Sequence, residues 1–188
     1  MIRIAALVAC AALTACSQTS SAGTTMQMRG YAFAPPAFKS FCAREKSLCS
    51  TNGTTKIVEL TAAKRAELNQ VNASVNRRVR EKSDLASAGK DDDWRVPGNY
   101  GDCEDFAILK KSELLKRGWP ASALLLTVAR SGNEGHTVLT VRTSEGDLVL
   151  DNRTSAIRDW SRTPYRYFAR QSQANGGSWQ RIGSAKPI

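Results

Sequence analysis

The five residues Gly101-Asp102-Cys103-Glu104-Asp105 constrain this chain more than any other stretch. A cysteine stands among three carboxylates, after the loop Val96-Pro97-Gly98-Asn99-Tyr100 and before the apolar run Phe106-Ala107-Ile108-Leu109. Proline and glycine interrupt regular structure before the cysteine. Gly118 follows Leu114-Leu115 where a helix C′ residue belongs. The pattern predicts a helix from Cys103 to about Arg117, with the thiol in its first turn. There, unpaired N–H groups and the helix dipole pull a thiol below its free pKa of about 8.5. A nucleophile so placed needs a base and an acid to orient that base. His136 is the only histidine in the chain, and Asp151 follows it in Leu148-Val149-Leu150-Asp151-Asn152.

The N-terminus tells where such a thiol would work. Met1-Ile2-Arg3 precedes an apolar stretch from Ile4 to Leu13, which reads as a secretory signal too short to span a bilayer. Its exit, Leu13-Thr14-Ala15-Cys16, has the form of a lipobox. A lipidated Cys16 would anchor a periplasmic lipoprotein to the membrane; the alternative is cleavage at Ser20-Ser21-Ala22. The expected organisation is a signal peptide over 1–15, a flexible tether over 16–30 and one domain over 31–188. Cys10 is then lost. Cys42 and Cys49 flank the short loop Ala43 to Leu48 and are expected to pair in an oxidising compartment. That leaves Cys103 as the odd, reactive thiol, with a buried inert thiol as the bland alternative. A formal charge of +10 gives a loose preference for anions. No recognition-helix, zinc-finger or RNP-type pattern accompanies it, so no nucleic-acid partner is expected.

Thr61 is placed to cap a helix of about twenty residues that ends near Ser83-Asp84. Leu68, Val71, Val75 and Val79 form its apolar stripe. Asn72 and Asn76 lie beside that stripe, and either bond to backbone and solvent or brace an active-site loop. Tyr31 to Cys49 reads as an irregular lead-in, and Leu85 to Asp93 as a polar loop. Strands are predicted at Ala123–Ala129, His136–Arg142 and Asp147–Asp151, with another over Pro164–Arg170 and a frayed end. In a hairpin with a two- or four-residue loop, directly paired positions have an odd sum. His136 and Asp151 then share a sheet face.

Asp102, Glu104 and Asp105 raise a difficulty, because like charges oppose thiolate formation. Helix N–H groups, Arg95, Lys110 or a bound cation must offset them. Clustered carboxylates suit Ca²⁺, the alternative being N-capping and solvated side chains. No zinc-ligand pattern competes.

Gly-Asp-Cys-Glu-Asp at 101–105, Gly-Trp-Pro at 118–120, Gly-His-Thr-Val-Leu-Thr-Val-Arg-Thr at 135–143 and Leu-Asp-Asn at 150–152 together resemble the bacterial transglutaminase-like cysteine peptidases. Val71 to Asn76, Tyr165-Arg166, Arg170-Gln171-Ser172 and the Cys42/Cys49 lead-in fit too. The resemblance covers roughly residues 38 to 182. Thr137 stands where alanine is usual, a conservative departure. The resemblance implies an α+β, papain-like transglutaminase-core fold, with the nucleophile at a helix N-terminus packed on an antiparallel sheet. It implies a Cys103, His136, Asp151 triad working in the periplasm. It also implies Ca²⁺ bound by carboxylates around the nucleophile, with Asp102, Glu104 and Asp105 as ligands. Relatives of this kind cut calcium-binding surface adhesins, release cells from biofilm and are restrained by an inner-membrane receptor that senses cyclic di-GMP.

The expected activity is that of a cysteine endopeptidase on a protein of the cell envelope, as a monomer. Two alternatives stand beside it. One is transglutaminase- or amidase-type acyl transfer through the same acyl-enzyme. The other is a non-catalytic envelope lipoprotein.

Overall fold

Leu124, Leu126, Leu139, Val141, Leu148 and Leu150 are buried from solvent and form the middle of an antiparallel sheet. The computed structural model describes residues 23–183 apart from 85, 87, 88, 90 and 91. The predicted signal peptide, Cys16 and the first part of the tether lie outside the described residues. In chain order the elements are β1 (Met28–Ala32), α1 (Phe38–Arg44), α2 (Lys46–Cys49), α3 (Ala62–Arg78), β2 (Arg80–Glu81) and β3 (Tyr100–Gly101). They continue with α4 (Cys103–Lys116), β4 (Leu124–Ser131), β5 (Glu134–Thr143), β6 (Gly146–Leu150), β7 (Arg158–Asp159), β8 (Arg166–Gln171) and β9 (Trp179–Ile182). The seven-stranded sheet has the order β1-β9-β8-β4-β5-β6-β7.

Helices α3 and α4 cover one face of this sheet. Leu68, Val71 and Val75 of α3 share a core with Phe106, Ala107, Ile108 and Leu114 of α4 and with Leu139, Val141, Leu148 and Leu150. Each of these side chains except Ala107 contributes about 1.5–3 kcal/mol by leaving water. The opposite face carries a smaller cluster of Met26, Val138, Val149, Trp160 and Ile182. The β5–β6 hairpin turns through Ser144-Glu145, with Thr143 opposite Gly146 and Leu139 opposite Leu150. Gly146 takes φ +102°, and an added Cβ there would meet Asp159 Oδ2 and the Gly23–Thr24 backbone at 2.8 Å. This register makes the paired sums odd. By alternation His136 and Asp151 share the face of Val138 and Val149.

Thr61 caps α3 as predicted, its hydroxyl accepting from Lys64 N at 3.2 Å. The helix stops at Arg78, short of Ser83, because Arg80–Glu81 pair in parallel with Tyr100–Gly101. The lead-in to Cys49 is not irregular: it forms α1 and α2, joined by the Cys42–Cys49 disulfide. Phe38 and Phe41 of α1 pack edge-on or tilted against Trp94 and Trp179. The tether expected up to residue 30 is ordered at its end. Met26 is buried, its N–H donates to Asp147 Oδ2 at 2.8 Å, and β1 pairs with β9. That pairing also replaces the frayed end with a strand.

Candidate active site

Helix α4 begins at Cys103, and Trp119 N–H returns to Leu114 O beyond Gly118, which takes φ +80°. Asp102 occupies the N-cap with no side-chain capping bond. Its Oδ2 accepts from Asp84 N at 3.2 Å instead, so N-capping does not account for this carboxylate. Gly101 lies so close to α4 that a Cβ there would sit 2.7 Å from the Asp105 side chain. The Cys103 sulfur accepts from Thr137 N at 3.3 Å, and its S–H donates to Glu104 Oε2 at 3.1 Å. Cys103 is the free cysteine among the described residues.

Strand β5 presents His136, 3% exposed, at its open end. Nε2 lies 2.9 Å from Asp151 Oδ1, while Nδ1 is buried and makes no hydrogen bond. The ring shares a cleft of about 240 Å³ with Cys103, walled by Pro35, Trp94 and Thr137. Asp151 Oδ1 also accepts from Arg153 N at 3.2 Å, and Oδ2 accepts from the Tyr165 hydroxyl. Burial works against the carboxylate, but the His136 and Tyr165 hydrogen bonds outweigh it and hold the carboxyl below its ordinary range. Behind it, Asn76 Nδ2 donates to Asp151 O at 2.9 Å and to Thr154 O at 3.2 Å; Asn72 Nδ2 reaches Thr154 O at 3.1 Å. Both asparagines therefore brace the loop that carries Asp151. The bracing was one of the two readings open to the asparagines, whereas Tyr165 was marked only as part of the family pattern, with no role, because its partner lies fourteen residues away.

The thiol runs against the helix-start expectation. Burial, and then the Glu104 charge, push it above its ordinary range, and only the Thr137 N–H pulls strongly the other way. Glu104 is itself pushed up to about 8 by burial and by the Asp102 charge. Asp102 and Asp84 are raised too, burial being the larger cause in each. Oxygens of Asp84, Asp102 and Glu104 lie within 4.8 Å of one another. Asp84 Oδ1 and Asp102 Oδ1 are buried without a hydrogen-bond donor, although Arg95 reaches the former as an ion pair at 3.4 Å. Crowded hard oxygens that resist carrying their charge fit a Ca²⁺ ion.

Asp105, expected in that set, lies outside it. Its Oδ1 accepts from Arg95 N at 3.0 Å and its Oδ2 faces the Arg95 guanidinium at 3.7 Å, so it holds the loop before β3. Asp84 takes its place, and no local motif marks it. The β2–β3 pairing carries residue 84 back to residue 102. Lys110, expected to balance the acids, is buried instead on the side of Asp151.

Residues 28–187 match the model of the bacterial transglutaminase-like cysteine proteinases, BTLCP. The calcium-bound form of Legionella pneumophila LapG is similar in structure at 26% identity, covering 83% of this chain and 87% of that chain with a TM-score of 0.53. The EGTA-treated form of LapG is similar at 26% identity, covering 83% and 82% with a TM-score of 0.51. No curated protein matches the chain significantly. Among the described residues, no helix is long and apolar enough to cross a membrane. The mixed helix and antiparallel-sheet fold is the transglutaminase-like one, and the activity is that of a cysteine peptidase on protein. By the match over most of its length, the chain belongs to the bacterial transglutaminase-like cysteine proteinase family.

Proposed function

We propose that Cys103, His136 and Asp151 are the triad of an endopeptidase that cleaves a cell-envelope protein, a surface adhesin being the leading class. One observation carries the reading. His136 commits Nε2 to Asp151 and keeps a buried Nδ1 without a partner in the cleft it shares with Cys103. With Nε2–H donating to the carboxylate, Nδ1 is the acceptor. It takes the thiol proton as sulfur attacks the scissile carbonyl carbon. The imidazolium, stabilised by Asp151, returns that proton to the leaving amine. Water then loses a proton to Nδ1 and hydrolyses the thioester, restoring the thiol.

LapG is a calcium-bound relative. Asp84, Asp102 and Glu104 are the residues that would hold the same ion here. When bound, it supplies the positive charge that offsets Glu104 beside the thiol. The secretory signal and lipobox support a periplasmic enzyme anchored through Cys16, and the family resemblance supports restraint by a cyclic di-GMP-sensing receptor. A monomer fits a cleft built from one chain.

Replacing Cys103→Ala in the producing cell should leave one or more envelope proteins uncut that the parent cleaves, as read by comparing envelope proteomes. Unchanged processing would overturn the triad. Mass spectrometry of the mature N-terminus should find a diacylated or triacylated Cys16. An unmodified start downstream of it would make the enzyme freely diffusing.

A further inference from the structure

The Asp151 carboxylate is 2% exposed and divides its two oxygens between different donors. Oδ1 serves His136 Nε2 and Arg153 N, and Oδ2 serves the Tyr165 hydroxyl. The Tyr165 ring also packs on the imidazole, with centroids 4.8 Å apart and planes tilted by 51°. Tyr165 follows Pro164 and precedes β8, so the chain enters the sheet at the residue that reaches the triad. Its other side joins Trp160, Tyr167 and Phe168 in a groove of about 490 Å³.

We propose that Tyr165 is a positioning residue of the triad. Its hydroxyl fixes Asp151 Oδ2 and takes up part of the carboxylate charge, which tempers the proton affinity of His136. The proposal rests on the triad reading above. A buried carboxylate oxygen without a donor would throw its whole charge on the imidazole. The imidazolium would then hold too tightly the proton it must give to the leaving amine. Burial and the bond to Asp151 keep the Tyr165 hydroxyl protonated, so it stays a donor.

Other ionisable groups face this pair. Cys103, Glu104 and Lys110 come from α4, Glu134 from the start of β5, Arg153 from the loop after β6, and Tyr167 from β8. None replaces the hydroxyl. The Arg153 guanidinium goes to Ser131 and Glu134, and Tyr167 bonds to Thr163. Lys110 is buried without a hydrogen-bond partner.

His136 is the only histidine, so NMR reads its titration without assignment ambiguity. The full chain carrying Cys103→Ala removes the thiol from the measurement. Added Tyr165→Phe keeps the ring and should raise the His136 pKa by about one pH unit, the size expected for losing a hydrogen bond to a charged group. Tyr167→Phe should leave it unchanged. In the chain with Tyr165 intact, the Tyr165 hydroxyl proton should appear as a downfield, slowly exchanging resonance. An unmoved or lowered His136 pKa in Tyr165→Phe, or the absence of that resonance, overturns the proposal. Asp151→Asn separates the two readings. It should lower the His136 pKa, and if it does while Tyr165→Phe changes nothing, the triad stands and only the role of Tyr165 falls.

Discussion

At Asp84, Asp102 and Glu104, burial and proximity make each charge more expensive than the last, and a divalent cation held there would relieve all three together. Chelation should therefore remove activity. Ca²⁺ should restore it and Mg²⁺ should do so poorly, because Mg²⁺ demands tighter octahedral geometry. Asp84→Asn should weaken Ca²⁺ binding about tenfold by calorimetry, a loss of roughly 1.4 kcal/mol, and lower the rate at limiting calcium. Asp105→Asn should behave differently. It keeps Oδ1 as the acceptor for Arg95 N and removes a charge that burial disfavours, so it should change stability by less than about 1 kcal/mol in chemical denaturation and leave calcium affinity nearly intact. Asp102 and Glu104 were legible because they adjoin the thiol. Asp84 was not, because a parallel strand pair rather than helical or motif spacing brings it in.

Helix α3 acts at a distance from the chemistry. Asn76 holds the backbone oxygen of Asp151, and Asn72 joins it on Thr154. Asn76→Ala should lower stability by roughly 1–2 kcal/mol in urea denaturation. It should also lower kcat with little change in KM, since it loosens the orienting acid and leaves the cleft walls in place. The cap at Thr61 and the stripe through Leu68, Val71 and Val75 made this helix readable, and the loop it braces was knowable only from tertiary position. The hairpin parity was likewise available in advance, because side-chain alternation has a fixed period. Strands β1 and β9 were hidden. Both are short, and β1 carries Gly30 at φ +72° and exposed Tyr31, so no alternating pattern marks it.

Over the whole molecule, the raised carboxyls make stability depend on pH. Folding binds protons at Glu104 and Asp105, pushed up to about 8 and about 7 from ordinary values near 4. Their contribution is fully present below those ordinary values and is lost as pH rises through about 7 and 8. The melting temperature in chelator should fall between about pH 5 and pH 8. The gap to the calcium-loaded protein should widen over the same range, as read by calorimetry at each pH. A constant gap would show that calcium does not act on these groups. The sheet order has a different consequence. The first strand pairs with the last, Met28 opposite Ile182, whereas β4, β5 and β6 pair with near neighbours around α4. A ribosome or translocation pore releases the chain from its N-terminal end, so β1 emerges long before its partner exists. The hairpins that carry His136 and Asp151 can assemble first, and the edge closes only when the final strand arrives.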